Sequence, residues 1–240
     1  MESLGDTLRG LRLSRSRDAG GLRTLAAQPE RCSICHDTRY VGHRIRREDP
    51  EFGETFPCRC TWEMDPAQPT FDNFDGYQPE LEVTLEAVKR WVLGGPPRLL
   101  TLAGPTGTGK THLARAAHLV IRQSTSRVLF QTERSLIGRI HSAMRPDSPF
   151  SPEEVLQEAI AIPWLVLDDL GATAVGEWDK SQMDGLMDAR WEGAKGTRRT
   201  LITTNLLGGQ LPVRMASRLR DIHWARTIIV KVEDYRGRSS

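Results

Sequence analysis

The chain has 240 residues, and 33 Lys and Arg against 31 Asp and Glu leave a net charge of +2, too small to select a nucleic acid by bulk charge alone. Hydrophobic residues at 38% suffice for a buried core, yet no run of about 18 apolar residues is present to form a transmembrane helix. The polar, Arg-rich start lacks the apolar stretch of a secretory signal, so the expected compartment is the cytoplasm, with no membrane association.

Residues 1–64 are expected to form a small first module, because all four cysteines fall there and none follows. Cys32 and Cys35 are separated by two residues, and Cys58 and Cys60 by one. Two thiolates spaced like the first pair can share one metal within a tight turn. The second pair is closer than the usual spacing. Two disulfides or unpaired buried thiols are the alternatives, and a cytoplasmic setting disfavours the disulfides. The expectation is a closed, structural Zn²⁺ site on Cys32, Cys35, Cys58 and Cys60, with His36 and His43 as possible substitute ligands. Arg39, Arg44, Arg46 and Arg47 cluster beside His43 and read as a solvated face.

The stretch Asp65-Pro66-Ala67-Gln68-Pro69 reads as a linker over residues 65–70. Beyond it, helix and strand patterns alternate to the end. Leu81, Leu85, Val88 and Val92 recur at helical spacing until Gly94-Gly95-Pro96-Pro97 stops the helix. Leu99 to Ala103 is a short apolar strand, and 111–123 a helix. Val128 to Phe130 forms a strand, 132–144 a helix, and 152–160 a second helix capped by Ser151. Trp164 to Leu167 and Leu201 to Thr204 read as further strands, and Arg226 to Val232 supplies a last one. Such alternation predicts an α/β fold in which helices sandwich a parallel sheet, over residues 71–240.

Gly104-Pro105-Thr106-Gly107-Thr108-Gly109-Lys110-Thr111, followed by His112, meets the phosphate-loop pattern at every fixed position. Glycines let the backbone curl until successive N–H groups face phosphate oxygens, and the helix that follows adds its positive end. Lys110 is then expected at the β- and γ-phosphates of ATP, with the Thr111 hydroxyl on Mg²⁺. Leu165-Val166-Leu167 ends in Asp168-Asp169, which puts acids at a strand's C-terminal end, where open α/β sheets build their sites. Asp168 is expected on the Mg²⁺ side, and Asp169 is expected to orient or deprotonate the attacking water. Thr203-Thr204-Asn205 ends the next strand, and the Asn205 amide suits the γ-phosphate or that water.

Taken in order, the cysteine pairs, Phe71-Asp72-Asn73-Phe74-Asp75, the phosphate loop, Leu167-Asp168-Asp169-Leu170-Gly171-Ala172 and Thr203-Thr204-Asn205 resemble the bacterial and phage helicase loaders of the DnaC/DnaI type, which are AAA+ ATPases. The resemblance spans about residues 30–230. It implies an AAA+ domain lacking a C-terminal lid, an N-terminal zinc module that grips a hexameric replicative DNA helicase, binding of ATP and single-stranded DNA, and assembly into a homo-oligomeric spiral. It further implies an arginine that reaches the neighbouring subunit's nucleotide. Arg218 is the first choice, with Arg214 and Arg220 in the same segment and Arg190 a weaker neighbour contact. Residues 141–150 and 171–178 are candidate DNA loops, and Phe71 and Phe74 read as packing anchors. A transposition regulator of the IstB type shares most of these motifs and binds duplex DNA; the cysteine pairs favour the loader. A third possibility is an adaptor that holds ATP without hydrolysing it.

Overall fold

In the computed structural model, residues 40–42, 55–57, 68–74, 78–172, 176–207 and 210–232 are described. The chain divides into two compact units, one of residues 1–68 with 122–126 and the other of 69–121 with 127–240. In the first, β1 (Tyr40–Gly42) and β2 (Thr55–Pro57) pair antiparallel, with Tyr40 opposite Pro57. The four cysteines of the expected zinc site lie outside the described residues.

The second unit is an α/β domain on a five-stranded, all-parallel sheet ordered β4-β5-β6-β3-β7. Its strands are β3 (Leu99–Ala103), β4 (Val128–Thr132), β5 (Trp164–Leu170), β6 (Arg199–Thr204) and β7 (Ala225–Ile229). Side chains alternate across a strand, so each central strand must be covered twice. Leu99, Leu165, Leu167 and Ile202 pack into one core with α3 (Glu133–Ala143), α4 (Pro152–Ala161), α5 (Glu177–Ala194) and α6 (Val213–Leu219). On the opposite face Phe130, in register with Val166, meets Arg115 and His118 of α2 (Lys110–Arg122). The first helix of this unit, α1 (Pro79–Val92), buries Leu81, Val88 and Val92 of the spacing read from the sequence, leaves Leu85 partly buried and adds Trp91.

Local signals account for the helix ends. Thr132 and Ser151 accept backbone N–H groups three residues on, and Ser151 with Glu154 completes a reciprocal capping box. Gly94, at φ +82°, lets the chain leave α1. Among the described residues no helix follows β7.

Two expectations need correction. The strand bearing the acids does not stop at Leu167; it runs to Leu170 through a bulge, with Leu167 opposite Ile202 but Leu170 opposite Thr204. The extra residue in β5 turns the Asp168-Asp169 pair locally, and Asp169 takes φ +61°. Arg190 is not a neighbour contact, because it is fully buried. Its guanidinium donates to the Ala159, Ile160 and Ile162 carbonyls at the end of α4, to the Arg199 carbonyl and to Thr200 Oγ1. Those helix-end carbonyls lack intrahelical partners, so a cation there is favoured by both hydrogen bonding and the helix dipole. Burial, with Arg198 nearby, lowers its pKa to about 9, still protonated at neutral pH. Arg199 does comparable work next to it, donating to the Gly94, Gly95 and Pro97 carbonyls while lying over Trp91 and Trp164.

Candidate functional site

The C-terminal ends of β3, β5 and β6 open onto a cleft of about 600 Å³. Its floor is the loop between β3 and α2, whose curl places Gly104, Gly107 and Gly109 at positive φ. A Cβ on Gly104, at φ +154°, would stand 2.3 Å from the Val230 carbonyl oxygen. One on Gly109, at φ +82°, would stand 2.6 Å from the Phe74 ring. No side chain fits either place. Lys110 opens α2 and turns its buried ammonium into the loop, donating to the Gly104 and Pro105 carbonyls at 2.9 and 2.6 Å and to Thr108 Oγ1 at 3.2 Å. An ammonium enclosed by the loop, at a helix N-terminus, is an anion site.

Opposite the loop, Asp168 is 3% exposed and its Oδ1 accepts two hydroxyls, Thr111 Oγ1 at 3.1 Å and Thr203 Oγ1 at 2.5 Å. The fold thus joins residues 57 positions apart, the hydroxyl and the carboxylate expected to share a divalent cation. Both are hard oxygen donors, and so few protein ligands suit Mg²⁺, which retains waters and takes phosphate oxygens. Among the described residues no cluster of three or more His, Cys, Asp or Glu could hold a metal by itself.

Asp169 lies beside this pair. Its backbone N–H donates to Thr203 Oγ1 at 2.9 Å, and its Oδ1 accepts Asn205 Nδ2 at 3.0 Å. Asp169 and Asn205, chosen separately from the sequence, are therefore one hydrogen-bonded unit. Thr203 was not given a role on sequence, although it links both acids through one hydroxyl. The polar end of an otherwise apolar strand was the available signal.

The other side of the cleft is built by the segment before α1. Thr70 and Asn73 exchange hydrogen bonds in a tight turn. Phe71 is buried, and Phe74 sits over Gly109 with its ring 5.4 Å from that of His112. His112 donates from Nε2 to the Thr70 carbonyl at 2.7 Å, a bond that requires the proton on Nε2. His112 thus anchors the cleft wall. Phe71 and Phe74 pack as the sequence reading anticipates.

The arginine segment forms α6. Arg218 pairs with Asp188 of α5 at 3.0 Å and lies over Trp191, while the more exposed Arg214 reaches the same carboxylate at 3.2 Å. Of the two candidate DNA segments, His141 lies in α3 and Trp178 in α5; His141 contacts Asp179 of α5 at 2.7 Å and approaches the Trp178 ring.

The model of the IstB-like ATP binding protein family matches residues 97–240. An insertion sequence ATP-binding protein of Sinorhizobium fredii is 31% identical over 169 residues, which cover 66% of this chain and 52% of that protein. The chain therefore spans about half the length of this curated relative. Among solved structures, the DnaC helicase loader aligns with a TM-score of 0.57 at 22% identity, over 72% of this chain and all of its own. DnaI aligns at 0.54 and 20%, over 70% and 90% of the two chains. AMPPCP-bound DnaA from Aquifex aeolicus aligns at 0.58 and 17%, over 70% and 51%. At these identities the three structures establish a shared P-loop fold.

Proposed function

From the premise that this chain belongs to the IstB-like ATP-binding protein family, we propose that it is an AAA+ ATPase that delivers a hexameric replicative helicase onto single-stranded DNA. The observation that carries the hydrolytic part is the junction of Thr111 with Asp168 beside the Lys110 loop. ATP lies with its phosphates along residues 104–112, and Lys110 exchanges loop carbonyls for β- and γ-phosphate oxygens. Thr111 and Asp168 hold Mg²⁺, which neutralises phosphate charge when bound. Asp169, oriented by Asn205, accepts a proton from water as its oxygen bonds to the γ-phosphorus and the bond to ADP breaks. Arg218 of a second copy faces the γ-phosphate in a homo-oligomeric spiral.

The paired cysteines before residue 71 support the loader reading: residues 1–64 are the helicase-binding module, with zinc on Cys32, Cys35, Cys58 and Cys60. Reduced, chelator-free protein is expected to carry about one zinc per chain, read by metal analysis; near-zero content refutes the zinc site. The likeness to the insertion sequence protein favours a second reading, an ATPase on duplex DNA that regulates a transposase. Pull-down with a replicative helicase, combined with turnover on single- and double-stranded DNA, separates them. Helicase capture and single-strand stimulation support loading. Duplex stimulation without capture supports transposition, and no turnover under any condition leaves a nucleotide-holding adaptor.

A further inference from the structure

Asp188 lies on α5 and receives two arginines from α6. Its Oδ1 takes Arg218 Nε at 3.0 Å, and its Oδ2 takes Arg214 Nη2 at 3.2 Å. A helical turn further along α5, Trp191 lies 4.0 Å beneath the Arg218 guanidinium. The indole is itself fixed, because Nε1 donates to Asp221 Oδ2 at 2.9 Å. Lys195 also lies 4.0 Å from that ring.

The choice of donor matters. A guanidinium offers one N–H at Nε and four at its terminal nitrogens. Asp188 takes only the first, and the four terminal N–H groups of Arg218 make no hydrogen bond among the described residues. Two cations on one carboxylate also leave the group positive. Arginine–carboxylate pairs are frequently bidentate, whereas this one uses a single N–H of Arg218. Here the carboxylate grips the guanidinium from its stem side and the indole lies against its plane, so no described residue takes the terminal N–H groups suited to a phosphate.

We propose that Asp188 and Trp191 are positioning residues that hold Arg218 with its terminal nitrogens presented to a phosphate oxygen bound by a second copy of this chain. The inference rests on the trans role given to Arg218 above. It adds the devices that pre-order that arginine, whose long side chain would otherwise have to be immobilised during each encounter.

Subunit mixing of the full chain, with ATP and single-stranded DNA present, tests it. Arg218→Ala holds nucleotide but lacks the arginine, and Lys110→Ala keeps the arginine but lacks the phosphate grip. Each is expected to be inactive alone and the mixture active. A donor carrying Lys110→Ala with Asp188→Asn is expected to restore roughly 10- to 100-fold less turnover, while Asp188→Asn by itself keeps the wild-type melting temperature and nucleotide affinity. Equal rescue by both donors overturns the positioning role and leaves the Arg218 reading intact. Full turnover of Arg218→Ala alone, or no rescue by the simple Lys110→Ala donor, overturns the Arg218 reading and this inference with it. Should Asp188→Asn fail to fold, Trp191→Leu replaces it in the donor, with the same loss expected and the same equality fatal.

Discussion

Asp169→Asn is expected to lower ATP turnover by about 10²- to 10⁴-fold, the usual contribution of a positioned general base, while nucleotide affinity stays unchanged. The substitution is well matched to its site. Asp169 sits at φ +61°, a region that Asn tolerates at least as well as Asp, so the bulge in β5 is preserved. Its backbone bond to Thr203 is independent of the side chain. Only the proton acceptor is lost. The binding elements, the loop around Lys110 and the Thr111–Asp168 pair, touch Asp169 through Thr203 but do not require its charge. Single-turnover hydrolysis and equilibrium binding, measured on the same preparation, check the two halves separately. Turnover at the wild-type rate would remove Asp169 from the chemistry, and a parallel loss of affinity would make it a structural part of the cleft.

The second large effect lies at the opposite end of the sheet. Arg190→Met is expected to destabilise the domain by about 3–5 kcal/mol, comparable to breaking a buried charged pair. That is on the order of 10 °C in melting temperature. Methionine fills much of the arginine's stem, so the cost is not chiefly a void. It comes from the Ala159, Ile160, Ile162 and Arg199 carbonyls, which lose a common donor, those of Ala159 and Arg199 in fully buried bonds. Lysine, with one compact ammonium instead of a planar fork, cannot serve carbonyls arriving from α4 and β6 together, so Arg190→Lys is expected to recover less than half of the loss. Thermal unfolding of the three proteins decides it. An unchanged melting temperature for Arg190→Met would show that the buried guanidinium is dispensable, and Arg190 would then need another explanation.

Arg190 and Arg218 illustrate where sequence reading stops. Both sit in helix-forming segments, and both looked available for a neighbouring subunit. Their separation depends on what stands opposite each in space: helix-end carbonyls around one, a single carboxylate and an indole beside the other. No spacing along the chain encodes that difference. The bulge in β5 is a similar case. Leu165-Val166-Leu167 marks a strand clearly, but its continuation past two acids follows from pairing with β6, whose Thr203 hydroxyl stabilises both aspartates.

What the sequence by itself determined was every feature whose cause is local. The apolar centres of the parallel strands, the helix starts at Thr132 and Ser151, the glycine curl before Lys110 and the order of the three chemical motifs all follow from neighbouring residues. Their physical basis is period, capping and backbone freedom, which act within a few positions. What only the tertiary structure decided was which of these residues form one device. Thr111 meets Asp168, Asn205 meets Asp169, His112 anchors the Thr70 turn, and Asp188 grips Arg218 because parallel pairing places the strand ends side by side and packs α5 against α6. Those contacts join positions far apart in the chain, and their energies depend on burial and distance, quantities that exist only once the sheet has formed.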